Sequence, residues 1–167
     1  MAIPYISPVS PSLRDFITLA LNTGCRKNEL LHLEWRNVVL EHRFVIIQPE
    51  TAKNRKRRIL PLNQKATSAL ENRQRQQNGE WVFNNPDGTR LESLDYRFRK
   101  ARQKAGIEDF RIHDLRHTFA SWLVSEGVDL IKVRDLLGHS SITMTERYAH
   151  LIPNRLEAAV AVLDRLL

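Results

Sequence analysis

The sequence predicts an α+β domain, mostly α-helical with one small antiparallel β-sheet. Apolar residues recur at helical spacing through most of the chain. Only two short β-branched runs interrupt that pattern, at residues 44–47 and 58–60, with a polar stretch of hairpin type between them. Glycine and proline punctuate the helical segments at regular intervals.

The elements follow in order. Residues up to Ser12 hold Pro4, Pro8 and Pro11 and read as a loop. Ser10-Pro11 supplies a helix N-cap followed by proline at the first helical position. Leu13, Phe16, Ile17, Leu19, Ala20 and Leu21 then form an apolar stripe that Gly24 closes. A short second helix is expected over 26–33, with Leu30, Leu31 and Leu33 inward. The two strands form a β-hairpin whose tip is the basic run Lys53-Asn54-Arg55-Lys56-Arg57-Arg58. A helix over 64–77 stops before Gly79. Trp81-Val82-Phe83 is a short apolar run, and Asn84-Asn85-Pro86-Asp87-Gly88 is a turn. Helices are then expected over 93–105, 114–125, 130–137, 142–148 and 154–166, separated by Gly106, Gly127, Gly138 and Pro153.

A length of 167 residues fits one domain, and 42% hydrophobic residues suffice for a core. The net charge of +7 points to a polyanionic partner, most simply nucleic acid. One cysteine, Cys25, excludes an intramolecular disulfide and a cysteine-based zinc site. No apolar run approaches bilayer length, so a soluble, cytosolic protein is expected.

Three stretches carry chemistry: Thr23-Gly24-Cys25-Arg26-Lys27-Asn28-Glu29-Leu30; His113-Asp114-Leu115-Arg116-His117; and Leu137-Gly138-His139 with Tyr148 nine residues later. In this order they resemble the tyrosine recombinase, or phage integrase, family. That family combines an arginine in a TGxR-xxEL stretch, an HxLRH motif, an LGH motif and a tyrosine about nine residues on. It also has a hairpin lysine upstream of a proline-containing strand end, matched by Lys53 eight residues before Pro61. The resemblance covers nearly the whole chain, and it is specific because five separated elements occur in sequence.

The residue types suit the displacement of an alcohol from a phosphodiester, whose transition state gathers negative charge on the non-bridging oxygens. No carboxylate cluster is evident to hold a metal, whereas two guanidinium forks, Arg26 and Arg116, match phosphate oxygens. Removing one such preorganised donor costs about 3–4 kcal/mol, or ~10²–10³ in rate. His113 lies three residues before Arg116 and His117 four after His113, so a helix starting there would direct them at one pocket. His113 would take the tyrosine proton or orient a phosphate oxygen; His117 would brace the helix or Tyr148. Tyr148 is the expected nucleophile, with a phenol that must lose its proton or sit among cations. The resemblance implies the same roles. It adds His139 as a donor to phosphate, Lys53 as the general acid for the departing 5′ oxygen (with Lys56 as the alternative) and a 3′-phosphotyrosyl intermediate formed without metal or ATP. Glu29 is expected to orient Arg26 by ion pairing.

Arg55, Lys56, Arg57 and Arg58, with Arg97, Lys100 and Lys104 on one helix, are expected to contact DNA phosphates. The function expected is that of a site-specific recombinase acting on double-stranded DNA in a bacterial or phage setting. A non-catalytic DNA-binding relative and a type IB topoisomerase-like enzyme are the alternatives. No cofactor is expected. The family's N-terminal DNA-binding domain has no counterpart in this sequence, so weak DNA binding by the catalytic domain alone is anticipated. The apolar stripe of the last segment, 154–167, would pack on its own core or on a neighbouring protomer of a homo-oligomer, a tetramer for the full-length family protein.

Overall fold

The computed structural model describes residues 10–50, 56–76, 78–153, 160–161 and 163–165. Helix α1 (Pro11–Thr23) begins as the sequence predicts: the Ser10 hydroxyl accepts from the Leu13 amide, Pro11 opens the first turn, and Gly24 ends the helix in the left-handed conformation at φ 65°. Leu13, Phe16, Leu19 and Ala20 form its buried face. Helix α2 (Lys27–Leu31) follows at once.

A three-stranded antiparallel sheet comes next, in the order β1 (Val38–Val39), β2 (Phe44–Ile47), β3 (Arg58–Pro61). The hairpin register pairs Val45 with Leu60 and Ile47 with Arg58. Strand β1 is an addition to the expected pair. Two residues are too few to show a period, and the turn into β2 places Arg43, rather than a glycine or asparagine, at positive φ. The hairpin tip, 51–55, with Lys53 and Arg55, lies outside the described residues.

Helix α3 (Gln64–Gln74) packs on α1. The Trp81-Val82-Phe83 run returns to the segment after α2, where the Val82 amide donates to the Leu33 carbonyl, and Phe83 meets Phe16 edge to face at 5.4 Å. Helices α4 (Asp95–Lys104), α5 (Ile112–Ser125), α6 (Leu130–Leu137) and a single turn, α7 (Thr143–Glu146), complete the chain up to a 3₁₀ turn at Ala149–Leu151. The expected helix over 154–166 falls largely outside the described residues.

The apolar interior has two parts. The larger gathers α1, α2, the sheet, α3 and the first turns of α4 and α5. The smaller holds Phe119, Ala120, Val124, Val133, Leu137 and Tyr148. Helix α5 spans the boundary, with Leu115 in the first part and Phe119 in the second. No helix among the described residues is long and apolar enough to cross a membrane.

Candidate active site

Two of the three sequence motifs are one structural device. Gly24 caps α1 and Gly138 caps α6, both left-handed, at φ 65° and 63°. A polar residue follows each cap closely: Arg26 two positions on, His139 one position on. A side chain at Gly24 would clash, and one at Gly138 would press on Arg58. A Cβ at Gly24 would stand 2.5 Å from Phe119 Cδ1, and one at Gly138 would stand 3.0 Å from Arg58 Nη1.

Arg26 opens α2. Its backbone amide donates to Glu29 Oε2 at 2.7 Å, and its Nη1 donates to Oε1 at 2.9 Å. Glu29 is 1% exposed and is also held from the sheet side, where Arg58 donates to both of its oxygens at 2.9 and 2.7 Å. Burial opposes ionisation of Glu29. The hydrogen bonds and charge of Arg58, and then those of Arg26, outweigh it and hold the carboxyl below its usual range. Glu29 thus pairs with Arg26 and with a second arginine, Arg58, besides. Arg58 departs from its expected place among the DNA-contacting cations. Its side chain is only 10% exposed, and its fork faces inward onto Glu29.

Arg116 lies on the second turn of α5 and is 4% exposed. Its Nη1 donates to the Gly24 carbonyl and its Nη2 to the Leu137 carbonyl, each at 2.7 Å. These are C-terminal carbonyls of α1 and α6, so the guanidinium sits where the negative ends of two helix dipoles converge. It thereby ties the Arg26 segment to the His139 segment. Burial first, then the charge of Arg26, pushes its pKa down to about 10, which leaves it charged at neutral pH.

Helix α5 starts at Ile112, two residues before the expected position. Arg111 is an atypical cap, but its amide is satisfied by Asp114 Oδ2 at 2.7 Å. His113 therefore stands in the first turn, exposed, and meets His117 edge to face at 4.9 Å. The phenol of Tyr148, 6% exposed, is delivered to His117: Nδ1 and Oη are 2.5 Å apart. The sequence reading expects His113 to accept the tyrosine proton, but the histidine in contact with the phenol is His117, expected there only to brace the helix or Tyr148. Burial raises the Tyr148 pKa, against the opposing charges of Arg147 and Arg116.

His139 shares a hydrogen bond with the Thr145 hydroxyl, Nδ1 to Oγ1 2.8 Å, and Thr145 is fully buried. Burial, then the charges of Arg116, Arg26 and Arg147, push the His139 pKa down to about 4. Burial also lowers the pKa of His113 and of His117, reinforced for His113 by His117 and for His117 by Arg147. All three imidazoles are therefore neutral at pH 7. Thr145 and Arg147 carry no motif signal; their part emerges only once α7 packs against α6.

Of the remaining expected DNA contacts, Lys56, Arg57, Arg97, Lys100 and Lys104 are exposed. Arg99 and Lys100 both lie over the exposed ring of Tyr96, at 5.6 and 5.9 Å from its centre.

Residues 1–155 match the phage integrase family. The chain belongs to that family. The integrase of Salmonella phage P22 is 36% identical over 167 residues, which covers 92% of this chain and 43% of the relative. Tyrosine recombinase XerC of Roseiflexus castenholzii is 34% identical over 165 residues, covering 90% and 52%. The chain thus spans about half the length of the curated relatives it matches. Among solved structures, the catalytic domain of bacteriophage HP1 integrase superposes with a TM-score of 0.67 at 26% identity, covering 96% of this chain and 94% of that one. XerH site-specific recombinase bound to difH substrate, in a pre-cleavage complex, gives 0.74 at 29% identity, covering 96% and 49%. The fold is that of a tyrosine recombinase catalytic domain.

Two expectations for this integrase-family domain follow from the geometry. Glu29→Ala leaves Arg26 and Arg58 facing each other, partly buried and unpaired, and should destabilise the fold by about 3–5 kcal/mol. The urea midpoint should fall with an unchanged slope; a loss under about 1 kcal/mol would contradict the brace. The histidines set the second. Their folded pKa values lie below the unfolded value, so between the two the unfolded chain binds more protons. Stability is then complete above about pH 6.5 and lost as pH falls towards 4. After discounting for solvent screening, His139 contributes about 1–2 kcal/mol of that loss. Melting temperatures from pH 7.5 to 4.5 check it, and His139→Asn should flatten the profile.

Proposed function

We propose that this domain cuts and rejoins double-stranded DNA through a phosphotyrosyl ester on Tyr148, as the strand-exchange chemistry of a site-specific recombinase. The scissile phosphate lies across Arg26 and Arg116, with His113 and His139 as further polar contacts. Arg116 spends two of its five N–H donors on carbonyls and keeps the rest for phosphate oxygens. Tyr148 Oη attacks phosphorus and passes its proton to neutral His117 Nδ1. The bond from phosphorus to the 5′ oxygen breaks, and that oxygen takes a proton from Lys53. The 3′-phosphotyrosyl ester retains the energy of the broken bond, so the reverse attack by a 5′ hydroxyl reseals DNA without ATP. The guanidinium groups supply the charge stabilisation that other phosphoryl-transfer enzymes draw from Mg²⁺.

The observation that carries this reading is the hydrogen bond between Tyr148 and His117, one residue after an arginine that also binds the Gly24 and Leu137 carbonyls. Lys56 and Arg57 beside the hairpin and Arg97, Lys100 and Lys104 on α4 contact the duplex backbone, each neutralised phosphate adding about 0.9 to the salt slope. The active assembly on DNA is a homo-oligomer, a tetramer for the full-length protein, with the 154–167 segment docked between protomers. It works in the cytoplasm of a bacterial host. A suicide duplex with a nick beside the scissile phosphate tests the chemistry. Denaturant-resistant adduct should form in the presence of a chelator and without ATP, and peptide mapping should place the DNA on Tyr148. Adduct on another residue, or none, rejects the proposal.

A further inference from the structure

We infer that Arg58 is a positioning residue: through Glu29 it holds Arg26 in the orientation needed to meet the scissile phosphate. This rests on the cleavage reading above.

Arg58 is the first residue of β3, at the base of the hairpin arm, with Lys53 five residues upstream. An arginine in a basic hairpin run is ordinarily a solvated phosphate contact, and the rest of the described run fits that pattern, since Lys56 and Arg57 are exposed. Arg58 instead turns inward and grips both oxygens of Glu29, and Glu29 in turn grips both the backbone and the side chain of Arg26. One planar carboxylate thus receives the fork of Arg58 from one element and, from another, the backbone amide and one guanidinium N–H of Arg26. Gly138 closes over the same guanidinium, in the turn that presents His139. Arg58 therefore lies against both chain segments that Arg116 ties together. Its fork, not merely its charge, is what fits. An ammonium cannot reach both oxygens with fixed geometry, and Glu29 would then be free to rotate and carry Arg26 with it.

The test compares wild type with Arg58→Lys on the suicide duplex in single turnover, with DNA binding, thermal melting and the Nε–Hε resonance of Arg26 in arginine-labelled protein measured alongside. At saturating DNA, Arg58→Lys should slow adduct formation ~10–100-fold, the cost of a misplaced reacting group. The DNA dissociation constant should stay within about threefold while the Arg26 resonance shifts. A phosphate-contact role gives the opposite split and overturns the inference: binding weakened in both variants, a salt slope unchanged in Arg58→Lys and reduced by about 0.9 in Arg58→Ala, and an unchanged saturated rate. A purely structural role would lower the melting temperature with the Arg26 resonance and the folded protein's rate both unmoved, and that also overturns it. Arg58→Ala should be slower still. Should it not fold, Arg58→Lys, which retains charge and stem, decides. Wild type without adduct would defeat the cleavage reading alone, and the Arg26 resonance would then decide the inference by itself.

Discussion

Tyr148→Phe should reduce the denaturant-resistant adduct to background while leaving the fold within about 1 kcal/mol of wild type. The ring is most of what Tyr148 contributes to structure. It lies with Phe119, Val133 and Leu137 in the smaller apolar cluster, and phenylalanine keeps all of that packing. The substitution removes one hydroxyl and its hydrogen bond to His117. His117 is half-buried, so water can take up the freed nitrogen and the penalty stays small. On the proposed mechanism the chemistry, by contrast, loses the atom that would form the ester. DNA affinity should stay within about threefold, because the cationic surface is untouched and the loss falls wholly on the chemical step. Persisting adduct would move the nucleophile elsewhere, for instance to Tyr96, which is 63% exposed. A large fall in melting temperature would mean that the hydroxyl organises the cluster rather than reacts.

Wherever local chemistry decides the backbone, the sequence is legible. Ser10-Pro11, Gly24 and Gly138 fix helix ends by capping alone, and α6 occupies 130–137 as its stripe and caps require. The β2–β3 hairpin follows from two β-branched runs. Legibility fails where a boundary rests on an unusual residue. Arg111 is not a cap that composition suggests, so the bounds 114–125 fall two residues short of α5, and only the motif spacing hints that His113 sits on it. Helix α3 stops at Gln74, three residues early, because Arg75-Gln76 carry no stop signal of their own. The site divides in the same way. Motif spacing brings out Arg26, Arg116, His139 and Tyr148; in the structure Arg26 and His139 follow the α1 and α6 caps, Arg116 bonds the cap carbonyls, and Tyr148 meets His117. Spacing says nothing of which way a side chain turns. Arg58 and Arg57 are identical neighbours in the sequence, yet β3 begins at Arg58 and turns that side chain to Glu29, while Arg57 just before it is exposed. Likewise, nothing in an HxLRH string selects His117 over His113 as the partner of the phenol. That choice depends on where α7 and the turn after it set Tyr148 down.

Arg116→Ala should cost both rate and stability, the two separable by Arg116→Lys. In the wild type the guanidinium is buried without a carboxylate of its own. It is held by the two carbonyls at the ends of α1 and α6, with Glu29 adding attraction and Arg26 and Arg58 repulsion. Truncation removes two charge-assisted hydrogen bonds, leaves two buried carbonyls unsatisfied and opens a cavity at the junction of α1, α5 and α6. Relief of repulsion from the other two arginines offsets part of this. A net loss of about 3–4 kcal/mol is expected, enough to be read directly in a urea midpoint. Lysine keeps the charge among the three cations and can satisfy one carbonyl, but it has no fork with which to span both and still face a phosphate. Arg116→Lys should therefore recover about half of the lost stability while single-turnover adduct formation stays down by ~10²–10³. Were lysine to restore the rate along with the stability, Arg116 would be a helix-end clamp with no role at phosphorus, and the transition-state charge would fall to Arg26 and the imidazoles alone.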